Sequence, residues 1–187
     1  MNITVVNFIC AIVIGLSVIA LCLAIFSDFK RFNHRKGEKH SRKSLVATGT
    51  MFAFFGLYYL VLLFRLFALP IHDISMIAGT LLVVSGTIIN IVARAQLGNN
   101  WANHIKIYTD HKLITTGLYS ICRHPLYSSL FLALFGGALA YSNWFAAILT
   151  ASIFIPMMNY RAKQEEVLLS KEFPEYKNYK KKVRRFI

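Results

Sequence analysis

Between Leu126 and Tyr160 the chain runs for 35 residues without an Asp, Glu, Lys or Arg. As one straight helix that run would be ~52 Å long at about 1.5 Å per residue. The hydrocarbon core of a bilayer is about 30 Å thick. The run must therefore turn back on itself, and Tyr141-Ser142-Asn143, just after Gly136-Gly137, offers the turn. Each arm then holds about 16 to 17 residues, the short limit for crossing a membrane. Pro156 has no backbone N–H to give a helix interior and predicts a kink in the second arm.

Charged residues bracket the run. Arg123-His124-Pro125-Leu126-Tyr127 opens it, and Arg161, Glu165 and Glu166 follow it. Folding the run into a hairpin brings both clusters to the same membrane face.

Three more apolar stretches precede it. Ile3 to Phe26 is 24 residues without a charge, more than the ~20 a span needs. A second stretch runs from about Ser44 to Phe64 and a third from about Ile74 to Ala93. A basic loop with Lys30, Arg31, Arg35, Lys36, Lys39, Arg42 and Lys43 separates the first two. Residues 94–125 are mixed and polar, read as loop and interfacial helix. With five spans and the basic loop inside, 20 of the 21 Lys and Arg residues fall on the cytosolic side, as the positive-inside rule requires. The expected fold is an all-α integral membrane protein of about five transmembrane helices, its N-terminus outside and its C-terminus cytosolic. Residues 1–93 supply three helices. Residues 94–187 supply the functional region, with the helical hairpin 126–160 and the cytosolic tail 161–187.

Composition agrees. Hydrophobic residues make up 56% and charged residues 16%, where a soluble domain carries about 25% charged. A net charge of +13 would suit nucleic acid, but the charges sit in short blocks between apolar runs and form no basic face. The three cysteines give no disulfide framework and no zinc spacing. Cys10 and Cys22 lie in an apolar stretch, where cysteine acts as a small hydrophobe. That stretch has no basic segment before it and reads as a retained span rather than a cleaved signal. No metal is expected, because His104 and His111 have no acidic partner at ligand spacing. A nucleophile elbow and a phosphate loop are both missing from the sequence.

Single residues leave their roles open. Arg161 and Glu165 share a helix face. They read as a surface ion pair, or as a site whose carboxylate grips a hydroxyl-rich ligand such as a ribose. Pro125 suits the first position of a helix, which puts His124 near its N-cap, where free N–H groups favour an anion. Arg123 and His124 read equally as interfacial anchors. Gly117 permits a turn or a close backbone approach. Tyr119 and Tyr127 could flank a flat ring or a cation. His111 alone reads first as an interfacial histidine.

In order along the chain stand His111-x-Leu113-Ile114-x-x-Gly117-x-Tyr119, Arg123-His124-Pro125-x-Tyr127, Arg161-x-x-x-Glu165-Glu166, and the aromatics Phe173, Tyr176 and Tyr179. Over about residues 95–185 this set resembles the isoprenylcysteine carboxyl methyltransferase family of integral membrane methyltransferases, in its short, five-span prokaryotic form. The resemblance implies that S-adenosyl-L-methionine binds at the cytosolic face, in a pocket formed by the 94–125 segment and the tail. Positions matching the family's cofactor contacts are His111, Lys112, Leu113, Ile114, Tyr119, His124, Pro125, Leu126, Tyr127 and Glu165. His104 falls where some members place a cofactor-contacting glutamine, and Gly117, Arg123 and Glu166 join the expected cofactor-binding set. Arg161 matches the family's substrate-orienting arginine. The implied reaction is methyl transfer to a lipophilic acceptor, a membrane lipid or a lipidated substrate, with carboxyl O-methylation foremost. A phospholipid amine, a thiol or a lipid hydroxyl are alternative acceptors; a sterol-type reductase and a non-enzymatic lipid-binding protein are competing readings. Two departures stand out: Ser129 where the family often has glycine, and Phe173-Pro174 for its usual Phe-Gly, one residue closer to Tyr176.

Overall fold

The computed structural model describes residues 5–33, 38–42, 48–100, 105–108 and 112–186. Helices dominate it: α1 (Val5–Asn33), α2 (Thr48–Leu63), α3 (Asp73–Leu97), α4 (Pro125–Ala140), α5 (Trp144–Leu149), α6 (Ile155–Glu172) and α7 (Tyr176–Lys182). A π-helical segment, Thr150–Phe154, joins α5 to α6.

The hairpin forms where chain length required it. The first arm is α4, and the second is the continuous course of α5, the π segment and α6. Asn143, 1% exposed, fixes the turn. Its side chain accepts from Ala146 N at 3.0 Å and donates to the Val61 and Leu66 carbonyls at 3.3 and 3.2 Å. One amide thus caps α5 and ties the hairpin tip to the chain leaving α2. The irregularity expected at Pro156 takes the form of the π segment immediately before it, where the Thr150 and Ser152 hydroxyls donate to the Ala146 and Ile148 carbonyls at 2.9 and 2.7 Å.

The closest packing joins α3 to α4. Gly79 and Gly86, two turns apart on one face of α3, let the backbones meet. A Cβ on Gly79 would lie 2.3 Å from Ala140 N, and one on Gly86 2.6 Å from Ser129 O. Gly136 answers from α4, where a Cβ would lie 2.8 Å from Gly79 O. Small residues at such a seam are how apolar helices gain contact when no water drives them together. Asn90 crosses the seam, with Nδ2 2.7 Å from Ser129 Oγ and Oδ1 2.8 Å from Arg94 Nε. This pairing accounts for the serine at position 129, because Asn90 and Ser129 are each 1% exposed and a buried amide needs a partner.

Around this spine, α1 lays Cys10 and Ile14 beside Met76 and Val83 of α3. Helix α2 packs Phe54, Tyr58 and Val61 against Leu134, Leu149, Phe154 and Met158 of the hairpin. The outward faces stay apolar, with Phe8, Leu16, Leu23, Leu60, Leu81 and Ile88 all exposed. Among the described residues two helices are long and apolar enough to cross a membrane, Val5–Ser27 and Asp73–Leu97; α2 and α4 are apolar but shorter. The third stretch continues past Ala93 to Leu97, and the expected start of the second, Ser44, lies outside the described residues.

One feature is new. Glu38–Arg42 (β1) pairs antiparallel with Ile105–Tyr108 (β2), Arg42 opposite Ile105. Part of the basic loop and part of the 94–125 segment are therefore a ribbon, and α6 runs beside both strands. Loop, segment and tail gather at one end of the bundle.

Candidate functional site

Pro125 begins α4 and His124 is its N-cap. Across the hairpin, α6 turns polar at Arg161, with Glu165 one turn on and Glu166 the next step around. Folding the run over brings these residues within hydrogen-bond reach.

At the outer edge of the cluster, Glu165 Oε1 accepts from the Tyr127 hydroxyl at 2.5 Å and from Arg161 Nε at 3.2 Å. Arg161 Nε also donates to the Tyr127 oxygen at 3.1 Å. His124 Nδ1 lies 3.5 Å from Glu165 Oε2. The His124 and Tyr127 rings are nearly parallel, at 5° with centroids 5.4 Å apart. From α2, Met51 Sδ reaches Arg161 Nη1 at 3.6 Å.

The inner edge is built on Glu166. Arg123 Nη2 and Arg185 Nε each lie 2.9 Å from its Oε1, with His124 Nε2 at 3.3 Å. Its Oε2 takes Arg185 Nη2 at 3.0 Å and Lys180 Nζ at 3.3 Å. The chain after α7 makes this possible. Arg123 N donates to Arg184 O at 2.8 Å and His124 N to Arg185 O at 3.0 Å, so residues 184–185 lie alongside the approach to α4. Arg123 Nη1 adds bonds to the Lys180 carbonyl at 3.0 Å and to the Val183 carbonyl. Phe186 puts its ring 6.0 Å from that of His124 and 5.3 Å from that of Phe131.

These contacts set the charge states. Burial pushes the Glu166 carboxyl upward, but His124, Arg185 and Arg123 together hold it well below the usual carboxylate range. Glu165 is lowered in the same way, with burial outweighed by His124, Arg161 and Tyr127. Burial pulls the His124 imidazole toward neutrality, yet the two glutamates prevail and its pKa is raised. Arg161 is raised too, with burial outweighed by Tyr127 and Glu165. Burial raises the Tyr119 and Tyr176 phenols, and Tyr179 is pushed up to about 12.

The 112–120 stretch is hung from α3. Asn100 Oδ1 accepts from Lys112 N at 2.8 Å and Gln96 Oε1 from Leu118 N at 2.9 Å. Gly117 has φ +62°, a backbone angle that calls for glycine, and a Cβ there would lie 2.3 Å from the Gln96 amide nitrogen, which would have to move aside. Leu113 and Ile114 are half-buried in an extended course. Tyr119 is buried, its hydroxyl donating to Ala93 O at 3.4 Å and its carbonyl accepting from the Tyr179 hydroxyl at 2.5 Å. Tyr127 lies parallel to the His124 ring. Pro125 is buried and Leu126 half-buried in the first turn of α4. His104 and His111 lie outside the described residues. Among the described residues no group of three His, Cys, Asp or Glu could hold a metal ion.

Sequence reasoning joined Arg123, His124 and Tyr127 to Arg161, Glu165 and Glu166. It did not find Arg185, Asn159, Phe186, Gln96 or Asn100. In the shortened tail Tyr176 N donates to Phe173 O at 3.0 Å, and Tyr176 is 1% exposed.

Comparison with known proteins follows the same region. The model of the isoprenylcysteine carboxyl methyltransferase (ICMT) family matches residues 78–171. The nickel-cobalt-cadmium resistance protein NccN of Alcaligenes xylosoxydans xylosoxydans is 40% identical over 97 residues, 51% of this chain and 45% of that protein. The protein-S-isoprenylcysteine O-methyltransferase of Rattus norvegicus is 33% identical over 110 residues, 57% of this chain and 38% of that one. The cobalt-zinc-cadmium resistance protein CzcN of Cupriavidus metallidurans is 35% identical over 97 residues, 51% of this chain and 44% of that one. The matches thus span about half the length of these relatives, or less.

Proposed function

The chain belongs to the isoprenylcysteine carboxyl methyltransferase family, and from that premise we propose that it transfers a methyl group from S-adenosyl-L-methionine to the carboxylate of a lipophilic acceptor at the cytosolic membrane face. The carrying observation is the cluster at the hairpin mouth, where His124 and Tyr127 of one arm meet Arg161 and Glu165 of the other at 2.5 to 3.5 Å. We read the protein as a multi-pass membrane protein in which α1, α2, α3 and the two arms of the hairpin, within residues 126–160, span the bilayer, with α6 beyond Tyr160 on the cytosolic side. The basic ribbon, the 112–120 stretch and the tail gather at one end of the bundle, which supports placing all three on the cytosolic side.

The residues present suit the donor. Glu165 is ionised and 25% exposed. Such a carboxylate can take both hydroxyls of a ribose or lie near a cation. When bound, the cofactor supplies a sulfonium methyl open to in-line displacement. His124, Tyr127 and Glu165 form one wall of its pocket, and Tyr119 with the half-buried Leu113 and Ile114 another. A carboxylate acceptor is already ionised, so no side chain has to remove a proton. Arg161 orients it. Because the arginine charge also stabilises the acceptor before reaction, its benefit is mainly positional. The dry surroundings penalise separated charges more than the neutralising transition state.

Family membership favours methyl transfer over reduction or passive lipid binding. Relatives named for metal resistance and for isoprenylcysteine methylation share this match, so the acceptor has to be identified by experiment. The test is calorimetry of S-adenosylmethionine and its demethylated product on purified protein, followed by labelled-methyl transfer into a membrane extract with the product class identified. Micromolar binding and an alkali-labile methyl ester are expected. Label in an amine, a thioether or an ether would reassign the acceptor, and no binding would remove the reading.

A further inference from the structure

His124 stands between two carboxylates; its side chain caps no N–H of α4, and from that helix the Tyr127 ring lies against it. Further contacts come from residues 185 and 186. The Arg185 carbonyl accepts the His124 N–H at 3.0 Å. The Arg185 guanidinium closes on both oxygens of Glu166, at 2.9 and 3.0 Å, and Glu166 is the group that His124 Nε2 faces. Phe186 stands against the imidazole. The third guanidinium nitrogen, Nη1, donates to Asn159 Oδ1 at 2.7 Å. All three nitrogens of Arg185 are therefore used, and the planar fork has one orientation.

Charge alone is not what Arg185 adds, because Arg123 and Lys180 already face the same carboxylate. We propose that Arg185 is a positioning residue: it holds Glu166 in the orientation that engages His124 Nε2, and so turns the Nδ1 edge of His124, together with Glu165, toward the ligand. Its effect passes through Glu166 to His124 and needs the bidentate geometry that arginine has and lysine lacks. The identity of the ligand as the methyl donor rests on the function proposed above; the arrangement of Arg185, Glu166 and His124 does not.

The test uses the full chain in lipid nanodiscs with ¹⁵N-labelled histidine. Groups facing the His124 ring are Glu165 and Glu166 from α6, Tyr127 from α4, Arg123 from the approach to α4, Phe186, and Lys180 by way of Glu166. In Arg185→Gln, Glu166 loses one cation and its fixed orientation. With Glu166 no longer held against Nε2, the His124 titration should move to lower pH, its Nδ1 and Nε2 signals should shift, and S-adenosylmethionine affinity should fall about tenfold. Arg185→Lys restores the charge but not the fork and should recover only part of the titration and part of the affinity. Wild-type His124 signals and wild-type affinity in Arg185→Gln would overturn the inference, as would full rescue of both by lysine. Should wild-type protein fail to bind the donor, the functional reading falls, and the His124 signals still decide the role of Arg185. If Arg185→Gln does not fold, Asn159→Ala takes its place. It frees one nitrogen of the fork and should give the same changes at about threefold in affinity; unchanged signals there would count against the proposal.

Discussion

Glu165 and Glu166 are one helical step apart, about 100° of arc, yet 25% of the Glu165 side chain is exposed against 2% for Glu166. Glu166 is ringed by Arg123, Arg185, Lys180 and His124. Glu165 has Arg161, His124 and the Tyr127 hydroxyl, and keeps an open side. Two adjacent like charges survive near an apolar bundle because the inner one is more than neutralised. The inner carboxylate is committed to holding the chain together, and under the proposed function the outer one exchanges partners with the methyl donor.

The strongest attempt to break this comparison removes the inner member. Glu166→Ala strands Arg123 and Arg185 beside His124 without their counter-charge. Losing one partner of a buried pair costs about 3–5 kcal/mol, so the protein in detergent should melt well below wild type. A melting temperature no lower than that of Glu165→Ala would erase the distinction. Glu165→Ala itself should melt less far below wild type, since Arg161 keeps the Tyr127 oxygen, but lose S-adenosylmethionine affinity by about tenfold or more, read by calorimetry. Arg161→Ala sharpens the outer edge further. Turnover should fall more than donor affinity, and equal turnover would remove its role in orienting the acceptor.

The smallest effect is a pH dependence with two arms. His124 holds its proton more tightly in the folded protein, since its pKa lies above 6.5. Its contribution to stability is complete below that value and is lost as pH rises through the raised pKa. Both glutamates lie below 4.5, so theirs is complete above 4.5 and is lost as pH falls. Melting temperature should therefore peak in mildly acidic to neutral buffer. In Glu166→Gln the upper arm should flatten, because His124 loses one of the two charges that raise it.

How much of this could be read from residues alone follows from the range of each interaction. The hairpin was legible because a charge-free run longer than a bilayer has few ways to fold. The meeting of Arg123–Tyr127 with Arg161–Glu166 came with it, as did the close approach at Gly117. The β1–β2 ribbon was not legible, since Glu38–Arg42 shows no alternation of polar and apolar residues and its partner lies more than 60 residues away. Arg185 was hidden for a different reason. It sits in a lysine-rich stretch that reads as solvated charge, and nothing local marks which of Arg184 and Arg185 turns inward. Nothing local to Asn90 marks its partner across the seam, and only its pairing with Ser129 shows why that serine is there.

The π turn at Thr150–Phe154 sets the angular phase of everything beyond it. A π turn takes up roughly one more residue than an α turn, and one residue is about 100° of rotation. Drawn as uninterrupted α-helix, the same sequence would swing the polar face of α6 by about that angle. Glu166 would leave its four cations, and Gln164 would take the direction that Glu165 holds at the hairpin mouth. Five uncharged residues deep in the apolar run thus work as a rotary offset, and the aim of every charged group on α6 depends on it.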